Sequence, residues 1–147
     1  MNRRLSSSCI RDGTPDDLSA VLDLWAMSDA PPTVTDSIDR LRSLLAFDPQ
    51  GLLVADVRGE TVGSLIAAWN GWRGSFYRLA VHPDHRRRGL ARRLVREGEN
   101  HLRDRGAVRL DAIVAADEEA AMSFWNAVGY ERQSDRSRFV RNFEDSL

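Results

Sequence analysis

The chain has 147 residues, 42% of them hydrophobic, a formal net charge of −1 and a single cysteine. That length suits one domain with a core that needs no cross-links, and the lone Cys9 excludes an intrachain disulfide and any multi-cysteine metal site. All 21 basic residues are arginine, which excludes a Walker-type, a Schiff-base or a kinase-type lysine. HExxH, CxxC and GxSxG are also missing. No metal is expected. The opening "MNRRLSSSCI" has arginines but no apolar run behind them, so it is not expected to be a leader. No stretch approaches the roughly 18 apolar residues of a membrane helix. The expectation is a cytoplasmic protein with no membrane partner.

Residues 1–8 are expected to form a flexible tail and residues 9–147 a single domain. "CIRDG" reads as a short strand. "TPDDLSAVLDLWAMSD" opens a helix, with Thr14 as cap, Pro15 in the first turn, and Asp16 and Asp17 at the positive end of the dipole. Leu18, Val21, Leu22 and Trp25 recur at helical spacing. "APPTVTD" breaks the chain, "SIDRLRSLLAF" is a second helix, and "DPQG" a turn. Three strands follow: "LLVADVR", "TVGSLIAAWN" and "SFYRLAVHP". Gly89 to Arg105 is a helix with Leu90, Leu94, Val95 and Leu102 inward, stopping near Gly106. "AVRLDAIVA" is a strand. "DEEAAMSFWNAVG" is a helix capped by Asp117 and ended by Gly129, with Ala121, Phe124 and Val128 inward. Short strands around "YERQS" and "SRFVRN" close the chain. The order βααβββαβαββ is an α/β layer fold with mixed strand directions.

Charge is concentrated in one place. His82 to Arg109 holds nine arginines against Asp84, Glu97, Glu99 and Asp104, a local +5 that leaves −6 for the rest. Within it, "HPDHRRRGLA" joins a hydrophobic strand to a helix N-terminus, where backbone N–H groups lie unpaired and the dipole is positive. Gly89 lets an anion approach the backbone, and the small Ala91 keeps the first turn uncluttered. Arg86, Arg87 and Arg88 add guanidinium groups suited to phosphate. Such a loop fits a pyrophosphate. A solvated charge run and a nucleic-acid backbone are the other readings, the second weakened because no other basic cluster accompanies it, so no nucleic-acid partner is expected.

"LAVHPDHRRRGLARRLV" resembles the acetyl-CoA-binding motif of the GNAT N-acetyltransferases, in which a strand end is followed by Arg/Gln-x-x-Gly-x-Gly/Ala and a helix; Arg86, Gly89 and Ala91 fill the three positions. "AAMSFWNAVGYE" is similar to the family's second motif, a helix ending in Gly and an aromatic residue. The resemblance runs over most of Ile10 to Phe143. It implies a mixed, mostly antiparallel central sheet flanked by helices, with acetyl-CoA as co-substrate. It also implies that Leu79, Ala80 and Val81 offer backbone groups to the pantetheine arm. The amides from Arg87 through Gly89 and Leu90 to Ala91 would cradle the pyrophosphate, and Arg86, Arg87 and Arg88 would meet CoA phosphates. Arg92, at the helix start, faces solvent on this reading.

Two positions depart from the family pattern. Four residues before Gly129, where many relatives carry a tyrosine that protonates the leaving sulfur, stands Trp125; its indole donates a hydrogen bond but not a proton. It is expected to pack against the cofactor arm. Eleven before Gly129, in place of a frequent asparagine, stands Glu118. No catalytic acid or base declares itself. Asp111 is either a base or a solvated strand carboxylate. Tyr77, expected on one face with Leu79 and Val81, either lines the acceptor site or packs. His82, His85 and His101 read as turn or surface residues. The acceptor is expected from the side of the first two helices, where Asp29, Asp36 and Asp39 would suit a cationic amine, and near Trp69 and Trp72, an aromatic patch for substrate or for a second copy in a homodimer. The leading expectation is N-acetylation of a small-molecule or protein amine. The alternative is a CoA-binding sensor or interaction module with weak or lost catalysis.

Overall fold

Pro15 cannot donate an N–H and fixes its own φ, so it opens a helical turn. In the computed structural model, which describes residues 8–28, 31–114 and 118–143, Pro15–Asp17 form one 3₁₀ turn. The Asp17 carboxylate folds back to accept from the Thr14 N–H (2.8 Å) and hydroxyl (3.2 Å). Helix α1 (Leu18–Ala26) then buries Leu18, Val21, Leu24 and Trp25. Helix α2 (Ile38–Phe47) is capped by the Ser37 hydroxyl, which accepts from the Arg40 N–H at 3.2 Å, and buries Leu41 and Leu45.

Strands β1 (Ser8–Asp12), β2 (Leu52–Val57), β3 (Glu60–Trp69), β4 (Gly74–Val81) and β5 (Leu110–Ala112) make one sheet in that spatial order. The first four pair antiparallel and β5 pairs parallel to β4. The long return from β4 to β5 carries helix α3 (Leu90–Asp104), as a parallel pair requires. Ser8 is therefore the first residue of β1 rather than the last of a tail, and residues 1–7 lie outside those described.

The helices take opposite faces of this sheet. α1 and α2 share a core with Leu52 and Val54, flanked by Ile66 and Ala80. α3 covers the other face with Leu90, Leu94, Val95 and Leu102, all buried as the spacing predicts. Gly98 sets its depth. A Cβ there would stand 2.6 Å from the Phe76 ring and 3.1 Å from Leu65, so any side chain would push the helix off the strands.

The chain divides into two compact units, Met1–Ile113 and Val114–Leu147. In the second, helix α4 (Glu119–Ala127) buries Trp125. The mixed, mostly antiparallel sheet flanked by helices is the expected fold class. The two closing strands expected around "YERQS" and "SRFVRN" are not formed: described residues 130–143 contain no strand. "YERQS" has one apolar residue, too few to give a strand a buried face, and a lone two-stranded hairpin is marginal in water. Asp117, the expected cap of α4, lies outside the described residues; Glu118 takes the cap position without a side-chain hydrogen bond. Among the described residues no helix is long and apolar enough to cross a membrane.

Candidate active site

β4 carries one residue more than β3 opposite it. Ile66 pairs with Tyr77 and Ser64 with Ala80, so Arg78 and Leu79 together face Leu65, a β-bulge. Directly opposed residues share a face of the sheet. Tyr77 therefore shares its face with Ala80, while Val81, opposite Gly63, lies on the α3 side. The expected common face of Tyr77, Leu79 and Val81 is corrected accordingly: the inserted residue shifts the alternation by one. Arg78 sits in the bulge at φ 55°. Its carbonyl accepts from the Ser64 hydroxyl (2.9 Å), which accepts from the Trp25 indole (2.8 Å).

On its other edge β4 pairs with β5 only through Gly74, Ser75 and Phe76. From Tyr77 to Val81 that edge has no ladder partner among the described residues. β5 ends opposite Phe76, and Leu79, Ala80 and Val81, half-buried, lie beyond its end.

Beyond the strand, the His82 N–H bonds the Val62 carbonyl (2.8 Å) and Pro83–His85 form a 3₁₀ turn. The His82 ring accepts from the Asp84 N–H at 3.1 Å. The Arg86 side chain turns back, its Nε donating to the Val81 carbonyl at 3.2 Å. Arg87 (φ 63°) and Gly89 (φ 78°) are both left-handed. The glycine is needed for that dihedral rather than for space, since a Cβ on it would meet nothing within 4 Å.

Among the described residues, none of the amides from Arg87 to Arg92 donates to a protein acceptor; the first bond of α3 runs from the Arg93 N–H to the Gly89 carbonyl (3.0 Å). Leu90 is buried at 4% exposure, so its side chain anchors the turn. Arg86, Arg87 and Arg88 are exposed and none pairs with a carboxylate, although Arg88 lies 3.4 Å from the His85 ring. Free amides, a helix dipole and three uncompensated guanidinium groups form a cradle for an anion.

The other candidates separate. Asp36 is ion-paired to Arg78 and is no free counter-charge. Asp39 is exposed in the first turn of α2, and Asp29 lies outside the described residues. Asp111 is exposed on β5, opposite Ser75. Trp72 is exposed with the Arg73 guanidinium 4.2 Å from its ring. His101 is in the last turn of α3. In the second unit the Trp125 ring meets Phe124 at 5.4 Å and Tyr130 at 5.0 Å, both edge-on. Sequence reasoning missed the bulge and its braces, Trp25, Ser64 and Arg78. No local pattern marks them, because their contacts span 14 to 47 positions of chain.

Comparison with known proteins agrees with this geometry. The family described as acetyltransferase (GNAT) matches residues 20–130. An acetyltransferase of Sodalis glossinidius (strain morsitans) is 37% identical over 118 residues, covering 80% of this chain and 83% of its own. Among solved structures, Ard1 from Thermoplasma volcanium superposes with a TM-score of 0.79 at 19% identity, over 87% of this chain and 85% of its own. PaiA N-acetyltransferase from Thermoplasma acidophilum, solved in complex with coenzyme A, gives 0.74 at 15% identity, over 86% and 91%. At that identity the two structures establish the shared fold.

Proposed function

The chain belongs to the acetyltransferase (GNAT) family, and from that premise we propose that it moves an acetyl group from acetyl-CoA to a primary amine of a small molecule or a protein. The observation that carries the donor half is the open row of amides from Arg87 to Arg92 at the start of α3. A diphosphate fits it: the N–H groups are unbonded, and Arg86, Arg87 and Arg88 supply positive charge with no internal carboxylate to answer it. The Thermoplasma acidophilum neighbour, solved with coenzyme A, supports the same donor.

In this reading the amides from Arg87 to Ala91 hold the pyrophosphate. Leu79, Ala80 and Val81, on the part of β4 that β5 leaves unpaired, hydrogen-bond the pantetheine arm. Bound there, the thioester supplies the acetyl group. Backbone donors on the bulged strand polarise its carbonyl without a dedicated side chain. A thiol with an ordinary pKa near 8.5 departs tolerably as thiolate, so tryptophan in place of the family's tyrosine slows the reaction by at most about 10²- to 10⁴-fold rather than abolishing it.

The test is release of free CoA from acetyl-CoA with a panel of small amines and amine-bearing peptides, alongside calorimetric titration of CoA. Amine-dependent release with acetylated product is expected. CoA binding without acetylation of any amine would replace this reading with the sensor module, and absence of CoA binding would remove both.

A further inference from the structure

We propose that Arg78 is a positioning residue that ties the loop ahead of α2 to the β4 bulge, so that the acceptor side of the site and its backbone donors are set together. The inference rests on the acetyltransferase reading for its kinetic consequences, but its structural core does not.

The argument starts from the backbone. Arg78 holds a left-handed φ of 55°, a conformation that arginine rarely adopts and that persists where surroundings over-determine it. Here four contacts do so. The carbonyl accepts from Ser64, whose hydroxyl is fully buried and itself held by the Trp25 indole. The guanidinium donates to the Asp36 carboxylate and, at 3.3 Å, to the Pro31 carbonyl. It also lies 5.2 Å from the Trp25 ring centroid, within cation–π range. One tryptophan thus braces both the backbone and the side chain of the same residue.

Each end of this connection has a use. Asp36 organises its own loop, accepting from the Thr33 N–H and hydroxyl at 3.2 Å each. Fixing Asp36 therefore fixes the turn from Thr33 to Ser37. At the other end, no peptide bond is cis, so a carbonyl and the N–H that follows point opposite ways. With the Arg78 carbonyl turned to Ser64, the Leu79 N–H points away from that hydroxyl, and it lies in the stretch of β4 that β5 leaves unpaired. Both partners of the Arg78–Asp36 pair are largely shielded, at 15% and 13% side-chain exposure, so salt weakens the tie less than it would a surface pair. By linkage, whatever steadies the loop steadies the bulge.

Amide hydrogen exchange on the full chain tests the tie without any turnover. Asp36→Asn should speed exchange at Ala80, which pairs with Ser64 across the ladder, by about fivefold, and Arg78→Gly should speed it across Thr33–Ser37 by about tenfold, with α3 unchanged. Glycine tolerates the left-handed backbone, so that variant removes the side chain without straining the bulge. Wild-type exchange at the bulge in Asp36→Asn overturns the proposal. In the acetylation assay both variants should raise the acceptor KM about tenfold and lower kcat severalfold, with CoA affinity within about twofold of wild type, and Ser64→Ala, which loosens the same bulge from its other side, should move KM and kcat in the same directions. A general structural role would lower CoA affinity in all three variants, and that result also overturns the proposal. If exchange behaves as expected but no amine is acetylated, the reading of function fails and the positioning role stands.

Discussion

Arginines flank α3 on both sides, and the two ends treat them in opposite ways. At the N-terminus Arg86, Arg87 and Arg88 are exposed, face no carboxylate, and stand beside amides that bond to nothing in the protein. At the C-terminus Arg105 makes two bonds to Asp48, at 2.7 and 2.8 Å, and a third to Gln50 at 2.8 Å. There the chain also closes the helix: Gly106 (φ 104°) is left-handed and the Ala107 N–H returns to the Leu102 carbonyl at 3.0 Å. One end is electrostatically complete, and its carboxylate, only 6% exposed, is held below its usual range chiefly by the Arg105 hydrogen bonds. The other end leaves positive potential uncompensated, which is what a site for an external anion requires. Comparing them separates arginine that holds the fold from arginine that binds.

The sharpest way to break this contrast is to fill the open end from within. Gly89→Glu places a carboxylate among the free amides and a side chain on a left-handed residue. At about 5 Å and a surface dielectric the nearer unit charge of a diphosphate is repelled by about 3 kcal/mol and the farther, better screened one by about 1 kcal/mol; the left-handed backbone separately costs the fold roughly 1–2 kcal/mol. CoA affinity should fall by about a thousandfold in calorimetric titration, with the circular dichroism spectrum unchanged. Retained affinity would mean that the open amides are not where the diphosphate sits.

The complementary change is Asp48→Ala. It strands the Arg105 guanidinium and removes the acceptor for the Gln50 N–H (3.0 Å). Breaking a buried pair costs about 3–5 kcal/mol, and with Arg105 28% exposed the expectation is roughly 2–3 kcal/mol. Urea unfolding should show that loss while CoA affinity stays within about twofold. Equal damage to binding would show that the two ends are not independent.

The open end was legible in the sequence because its signals are local. A glycine before an amphipathic run, three arginines and a strand-ending His-Pro fall within ten residues, and the inward positions Leu90, Leu94, Val95 and Leu102 follow helical spacing. At the closed end the stop at Gly106 was legible, but the ion pair was not, since Asp48 and Arg105 are 57 positions apart and either alone reads as a solvated charge. Gly98 was silent for a related reason: a glycine inside a helix weakens the helical reading, and only the Phe76 ring beneath it explains the choice. The bulge is invisible because a one-residue slip preserves the apolar character of "SFYRLAV" while reversing which residues share a face. The closing strands were over-read, since β-forming composition says nothing about whether a ladder partner is at hand.

The smallest expected effect extends the closed-end logic to the other paired cluster. Arg11 makes two bonds to Asp17, at 2.8 and 2.9 Å, and a third to Asp56 at 3.2 Å. The Arg11 hydrogen bonds, helped by the Thr14 N–H, pull the Asp17 carboxyl down from 3.8 to about 2. A depressed folded pKa means that the ionised carboxylate stabilises the fold fully above the unfolded value, near 4. That contribution is lost as pH falls towards 2, because protonation then favours the unfolded chain. Arg11 is 37% exposed, so solvent screening trims the linkage value to on the order of 1–2 kcal/mol. In urea unfolding, the stability gap between wild type and Asp17→Asn should hold steady from pH 7 to 5 and shrink by about two-thirds of that amount by pH 2.5. CoA affinity at pH 7 should be the same in both. A gap that ignores pH would mean that Asp17 acts as a neutral cap for Thr14 rather than as the charged partner of Arg11, and the contrast between paired and open arginines would then rest on Asp48 and Arg105 alone.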